Sequence, residues 1–141
     1  MATIALPRAR VGDTIRMLAS GVGDPQPVAV SAVTSGRSLA PPAPVRLRAT
    51  RRGDGGLDVR WVRRSRLGWR WGDDGDAPLG EERERYRVTI GDGTGALVIE
   101  SDAATLTVPA ATLPSLARHV AVCQLGTFAA SATTISLIEG E

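Results

Sequence analysis

A chain of 141 residues is long enough for one ordinary domain and a short appendage, but not for two full-sized domains. Hydrophobic residues make up 43% of it and aromatics only 4%, so a core has to be built mainly from Val, Leu, Ile and Ala, which leans towards β-structure. The formal net charge is only +2, yet all seventeen basic residues are arginine and both lysine and asparagine are absent; GC-rich coding explains this and removes most of arginine's value as a phosphate-recognition signal.

The N-terminal run MATIALPRARVGDTIRML carries arginines on both sides of a short apolar stretch and lacks a small-residue cleavage site, so no signal peptide is expected. No apolar run approaches the roughly 20 residues that span a bilayer, and a soluble chain is expected. TIRML (14–18) and PVAVSAV (27–33) read as two short strands separated by SGVGDPQ, a Gly/Asp/Pro cluster that punctuates β-structure. Then SLAPPAPVRL (38–47) places three prolines in four positions and forces an extended passage. Residues 1–40 are thus expected to be an extended β-appendage and residues 41–141 a β-sandwich. The appendage is too short and too rich in Gly and Pro to hold its own core, so it should order by pairing with another chain or by docking.

Beyond the linker, VRLRATR (45–51) and LDVRWVRR (57–64) alternate apolar and polar residues around RGDGG, which makes a hairpin with Leu57, Val59 and Trp61 on one face. RYRVTI (85–90) and ALVIES (96–101) form a second hairpin around GDGTG, with Tyr86, Val88 and Ile90 on one side. TLTV (105–108), HVAVCQL (119–125) and TTISLIE (133–139) complete seven strands. AATLPSLAR is a weak helical candidate. Seven short strands with turn signals between them predict an all-β, immunoglobulin-like or fibronectin type III-like antiparallel β-sandwich, with Trp61, Tyr86, Val88, Val120 and Val122 in its core.

Little in the sequence points to catalysis. The single cysteine, Cys123, excludes an internal disulfide and fits a reducing cytoplasm; its strand-like flanks suggest a buried small hydrophobe. RGD (52–54) has the composition of a tight turn rather than an adhesion motif, and GDGTG lacks the Lys-Ser/Thr pair of a phosphate loop. His119, the only histidine, has no second metal-ligating residue nearby and no nucleophile elbow to serve, so it is expected to be structural or solvent-facing. No enzyme, no cofactor and no metal are expected. Asp73, Asp74, Asp76, Glu81 and Glu82 could gather around calcium, but Arg63, Arg64, Arg66 and Arg70 offer them local ion pairing at lower cost. Ten arginines lie between Arg51 and Arg87, but eight carboxylates lie there too, which argues against nucleic-acid binding.

The long connection RRSRLGWRWGDDGDAPLGEE (63–82) is the main candidate interaction site. Trp69 and Trp71 are flanked by Gly68 and Gly72 and fall on no predicted strand, and exposed tryptophans are costly unless something packs on them. The residues expected to make contacts are Arg63, Arg64, Arg66, Trp69, Arg70, Trp71, Asp73 and Asp74. Buried aromatics beside arginines are the usual composition of interface anchors.

The runs RSLAPPAPVRLRATRRGDGGLDVRWVRRSRLGWRW, DAPLGEERERYRVTI and VAVCQLG resemble the C-terminal fibronectin-like module of the large tail-tip, or baseplate hub, protein of gene-transfer-agent and related long-tailed phage particles. Its most specific parts are W-x-R-R-S-R-x-G-W-x-W and P-L-G-E-E-x-E-x-Y. The resemblance runs from about Val11 to the C-terminus. It implies a non-enzymatic structural component of a virion tail tip, made in the bacterial cytoplasm. Such a component would contact other tail-tip or baseplate proteins and be oligomeric within the particle, a trimer being one such assembly. The alternative is a receptor-binding module that touches host surface glycan through its tryptophans.

Overall fold

The computed structural model describes residues 10–67 and 78–140. The chain divides into two compact units after Ser38, two residues before the boundary expected from the prolines. In the first unit, β1 (Thr14–Ala19) pairs antiparallel with β2 (Val28–Val33). The turn between them is fastened by Asp24, whose carboxylate accepts the Gly21 N–H at 2.6 Å. The register places Ile15, Met17 and Ala19 opposite Ala32, Val30 and Val28, so one face of this ribbon is wholly apolar. The other face mixes Thr14, Arg16 and Ser31 with Leu18, Ala29 and Val33. Apart from half-buried Ile15, every residue of both strands is exposed.

The second unit contains β3 (Val45–Arg51), β4 (Leu57–Val62), β5 (Tyr86–Ile90), β6 (Leu97–Ser101), β7 (Thr105–Val108), β8 (His119–Gln124) and β9 (Thr134–Glu139). These seven strands lie close to the predicted ones because period-two alternation marks a strand that buries one face. Their lateral order is β6-β5-β8-β9-β3-β4-β7. The sheet folds into two layers, β6-β5-β8-β9 and β3-β4-β7, joined where β9 runs parallel to β3 through Ala49 and Ile138 and through Thr50 and Glu139. That single parallel pairing departs from the all-antiparallel expectation. It follows from closing the sandwich with its first and last strands, which enter from the same end. Alternate residues of both layers fill the core: Leu47, Ala49, Leu57, Val59, Trp61 and Val108 from one, Tyr86, Val88, Ile90, Val120 and Val122 from the other. The Trp61 and Tyr86 rings meet edge to face, with centroids 5.0 Å apart. This is a fibronectin type III-like β-sandwich, and the five core residues expected from the sequence are all buried.

Two further expectations are corrected. AATLPSLAR forms only a short 3-10 turn at Ala110–Thr112; Leu113 is extended, as the residue before Pro114 is sterically required to be. Cys123 is half-buried rather than buried, because strand parity sets it on the outer face with His119 and Ala121. Gln124 takes the inward position instead, and its main chain is held on both sides by Ser131: its N–H donates to the Ser131 hydroxyl at 2.9 Å and its carbonyl accepts the Ser131 N–H at 2.8 Å.

With so few aromatics, the core leans on Trp61. Replacing it with alanine should cost about 3–5 kcal/mol, as other large-to-small core changes do. Urea unfolding of the full chain would measure this, and a loss below about 1 kcal/mol would mean that the indole is not a core element.

Candidate interaction site

The connection from β4 to β5 crosses from one layer to the other, and its two ends are anchored by different means. At its start, Arg66 folds back on the returning chain: Nε and Nη2 donate to the Gly80 carbonyl at 3.0 and 2.7 Å. Nε also lies 2.9 Å from Glu81 Oε1; because its N–H is directed at the carbonyl, this contact is an ion pair rather than a second aligned hydrogen bond. Glu81 is only 1% exposed at its side chain, an expensive place for a carboxylate unless its charge is met. Its Oε2 accepts the Thr127 N–H at 2.8 Å, and the Thr127 hydroxyl in turn accepts the Glu82 N–H at 3.0 Å. Gly126 makes room for this arrangement. A Cβ there would sit 2.5 Å from Pro41 Cδ, 2.7 Å from the Ala129 carbonyl and 2.9 Å from Glu81 Oε2. The returning limb of the connection is thereby latched to the β8–β9 loop.

The second anchor is Tyr86, the first residue of β5. Its hydroxyl donates to Glu84 Oε1 at 2.7 Å, and Arg63 Nε lies 3.9 Å from the same oxygen. Burial raises the Tyr86 pKa well above the ordinary phenol range, and the hydrogen bond to Glu84 and the Glu84 charge add to the rise, against a smaller opposing effect of Arg63. Farther along, Glu100 lies between Arg85 and Arg87, the latter at 3.6 Å. The hydrogen bond from Arg85 holds its carboxyl below the usual carboxylate range.

Of the residues expected to make contacts, Arg66 and Arg63 serve these two anchors, and Arg64 is exposed without an ion-pair partner among the described residues. Trp69, Arg70, Trp71, Asp73 and Asp74, together with Asp76, lie outside the described residues. The sequence reading missed Glu84 and Thr127, and it treated Glu81 only as one of several acidic residues. The P-L-G-E-E run was a usable signal, since a glycine between an apolar residue and paired carboxylates marks a sharp return of the chain. Among the described residues no three metal-ligating side chains gather, and Glu81 is committed to Arg66 and Thr127. RGD is a turn: Asp54 pairs with Arg52 at 2.8 Å and accepts the Gly56 N–H at 2.9 Å, while Gly55 takes φ 80°. His119 is half-buried, 3.1 Å from Asp92.

No family model and no curated protein matches the chain. Among solved structures it is similar to domains d3-d4 of the rat CD45 extracellular region, with a TM-score of 0.52 and 10% identity, over 97% of this chain and 68% of that one. At this identity the likeness is one of fold.

Two measurements probe the anchors. Arg66→Ala leaves the Glu81 carboxylate buried beside a lost cation and should destabilise the domain by about 2–4 kcal/mol, whereas Arg64→Ala should stay within about 0.5 kcal/mol. Equal effects of the two substitutions would discount the latch. Tyr86 is the only tyrosine, so an ultraviolet titration reads it directly. Its folded pKa lies above its unfolded value, so the stability it contributes is complete below about pH 10 and falls as pH rises beyond that. Phenolate absorbance should therefore stay absent through about pH 11 while the chain is folded and appear on unfolding, and Tyr86→Phe should flatten the alkaline loss of stability.

Proposed function

We propose that the chain is a non-enzymatic structural component of a phage-type tail tip and acts through protein–protein contacts with other baseplate proteins. The observation that carries this reading is the β1–β2 ribbon. A two-stranded sheet is marginal in water by itself, and here Ile15, Met17, Ala19, Val28, Val30 and Ala32 line one face that the ribbon cannot cover. Such a face gains stability by being removed from water at about 25 cal/mol per Å² of apolar surface. The mixed composition of the opposite face suits the solvent side of an added layer. A sandwich that carries an appended ribbon of this kind is suited to joining subunits. The resemblance of W-x-R-R-S-R-x-G-W-x-W and P-L-G-E-E-x-E-x-Y to the tail-tip hub module supplies the particle in which such joining would take place.

The paired substitution Met17→Asp with Val30→Asp places two charges on the apolar face. Thermal unfolding of the sandwich should shift by less than about 2 °C, because the sandwich has its own core. Incorporation into tail particles, followed by immunoblot of purified particles, should be lost. Normal incorporation of the variant would remove the ribbon from the assembly role.

A further inference from the structure

We infer that the outer face of the β3-β4-β7 layer is a docking surface for an acidic segment of another protein. Three features meet on this face. Arg48 on β3 and Arg60 on β4 are directly opposite in the ladder, and like charges so placed destabilise a sheet. Arg46, two residues before Arg48, has φ 52° at an irregularity in the β3–β4 register; a side chain in that conformation stores strain. All three arginines are exposed, as is Arg64 just past the end of β4, and among the described residues no carboxylate pairs with any of them. The neighbouring β7 position contributes Thr105 rather than an acid. A chain with 15 carboxylates thus leaves this like-charged row without an ion pair among the described residues and has backbone strain beside it. Local costs of this kind persist where a partner offsets them.

The chemistry of the partner follows from what else the face carries. Asp58, whose carboxylate accepts the Thr107 hydroxyl at 2.8 Å, and Glu139, beside Thr50, share it. These two carboxylates keep the face from being the uniformly basic strip that a phosphate backbone needs for counterion release. Spaced carboxylates of an acidic protein segment fit better, because each guanidinium can take one bidentately and Asp58 and Glu139 limit which spacings are accepted. The inference concerns a different surface from the apolar ribbon and holds whether or not the chain belongs to a tail tip.

The test titrates the full chain with a fluorescein-labelled glutamate-rich peptide and, in parallel, with a labelled DNA duplex, reading anisotropy. Arg60→Glu turns the Arg48 pair from repulsive to attractive. It should raise the thermal midpoint by roughly 3 °C while weakening peptide binding by about tenfold or more. Arg118→Glu, an exposed residue outside this face, makes the same change in net charge and should leave binding within about twofold. Arg60→Gln serves as a second variant that removes the cation without adding an anion and should weaken peptide binding in the same direction. Equal losses in Arg60→Glu and Arg118→Glu would show general attraction of opposite charges and overturn the assignment. Tighter binding of the duplex than of the peptide, or a lower midpoint in Arg60→Glu, would overturn it as well.

Discussion

The edge-to-face contact between Trp61 and Tyr86 is the constraint on which the rest of the sandwich depends. In a core otherwise made of Val, Leu, Ile and Ala, these two rings span the gap between the layers. They also stand at the two ends of the long crossover, Trp61 near the close of β4 and Tyr86 at the opening of β5. Packing the rings therefore sets where the crossover leaves and where it returns. The hydroxyl of Tyr86 extends this order outwards to Glu84, with Arg63 nearby, so a packing contact becomes a polar anchor at the surface.

The Arg66–Glu81–Thr127 latch acts on the same crossover from the other side. It joins segments distant in sequence and does so through a carboxylate that is almost fully buried. Removing a buried carboxylate from water is tolerated only with its partners in place, so this latch favours one arrangement of the returning chain over others. With Gly126 leaving no room for a side chain beside it, the geometry at Glu81 is closely specified by its neighbours.

The strands of the sandwich were legible because they turn one face to the core and the other to water, a pattern carried by alternate residues such as Leu57, Val59 and Trp61. The hairpin turns were legible for a similar local reason, since Asp-Gly steps supply the backbone angles that tight reversals need. What alternation cannot show is which polar residue faces inwards. Glu81 reads as one of several surface carboxylates in sequence, and its burial goes with Arg66 and Thr127, partners that only the fold brings near. The position of Cys123 was in fact legible: with Val120 and Val122 inward, period-two alternation already sets Cys123 on the outer face, and only the apolar flanks of the cysteine suggested burial. The like-charged pair of Arg48 and Arg60 was illegible, since it exists only through the register between two strands. At the crossover, the arginines and carboxylates could be recognised as mutual partners, but not which pairs form.

The parallel pairing of β3 and β9 has a mechanical consequence. Tension applied through the segment before Val45 and the segment after Glu139 would act on neighbouring strands that point the same way. Such a pull slides one strand along the other and loads the hydrogen bonds between them together, instead of opening them one after another from an end. A domain strung into a larger assembly by its first and last strands would thus meet a tensile load in its more resistant direction.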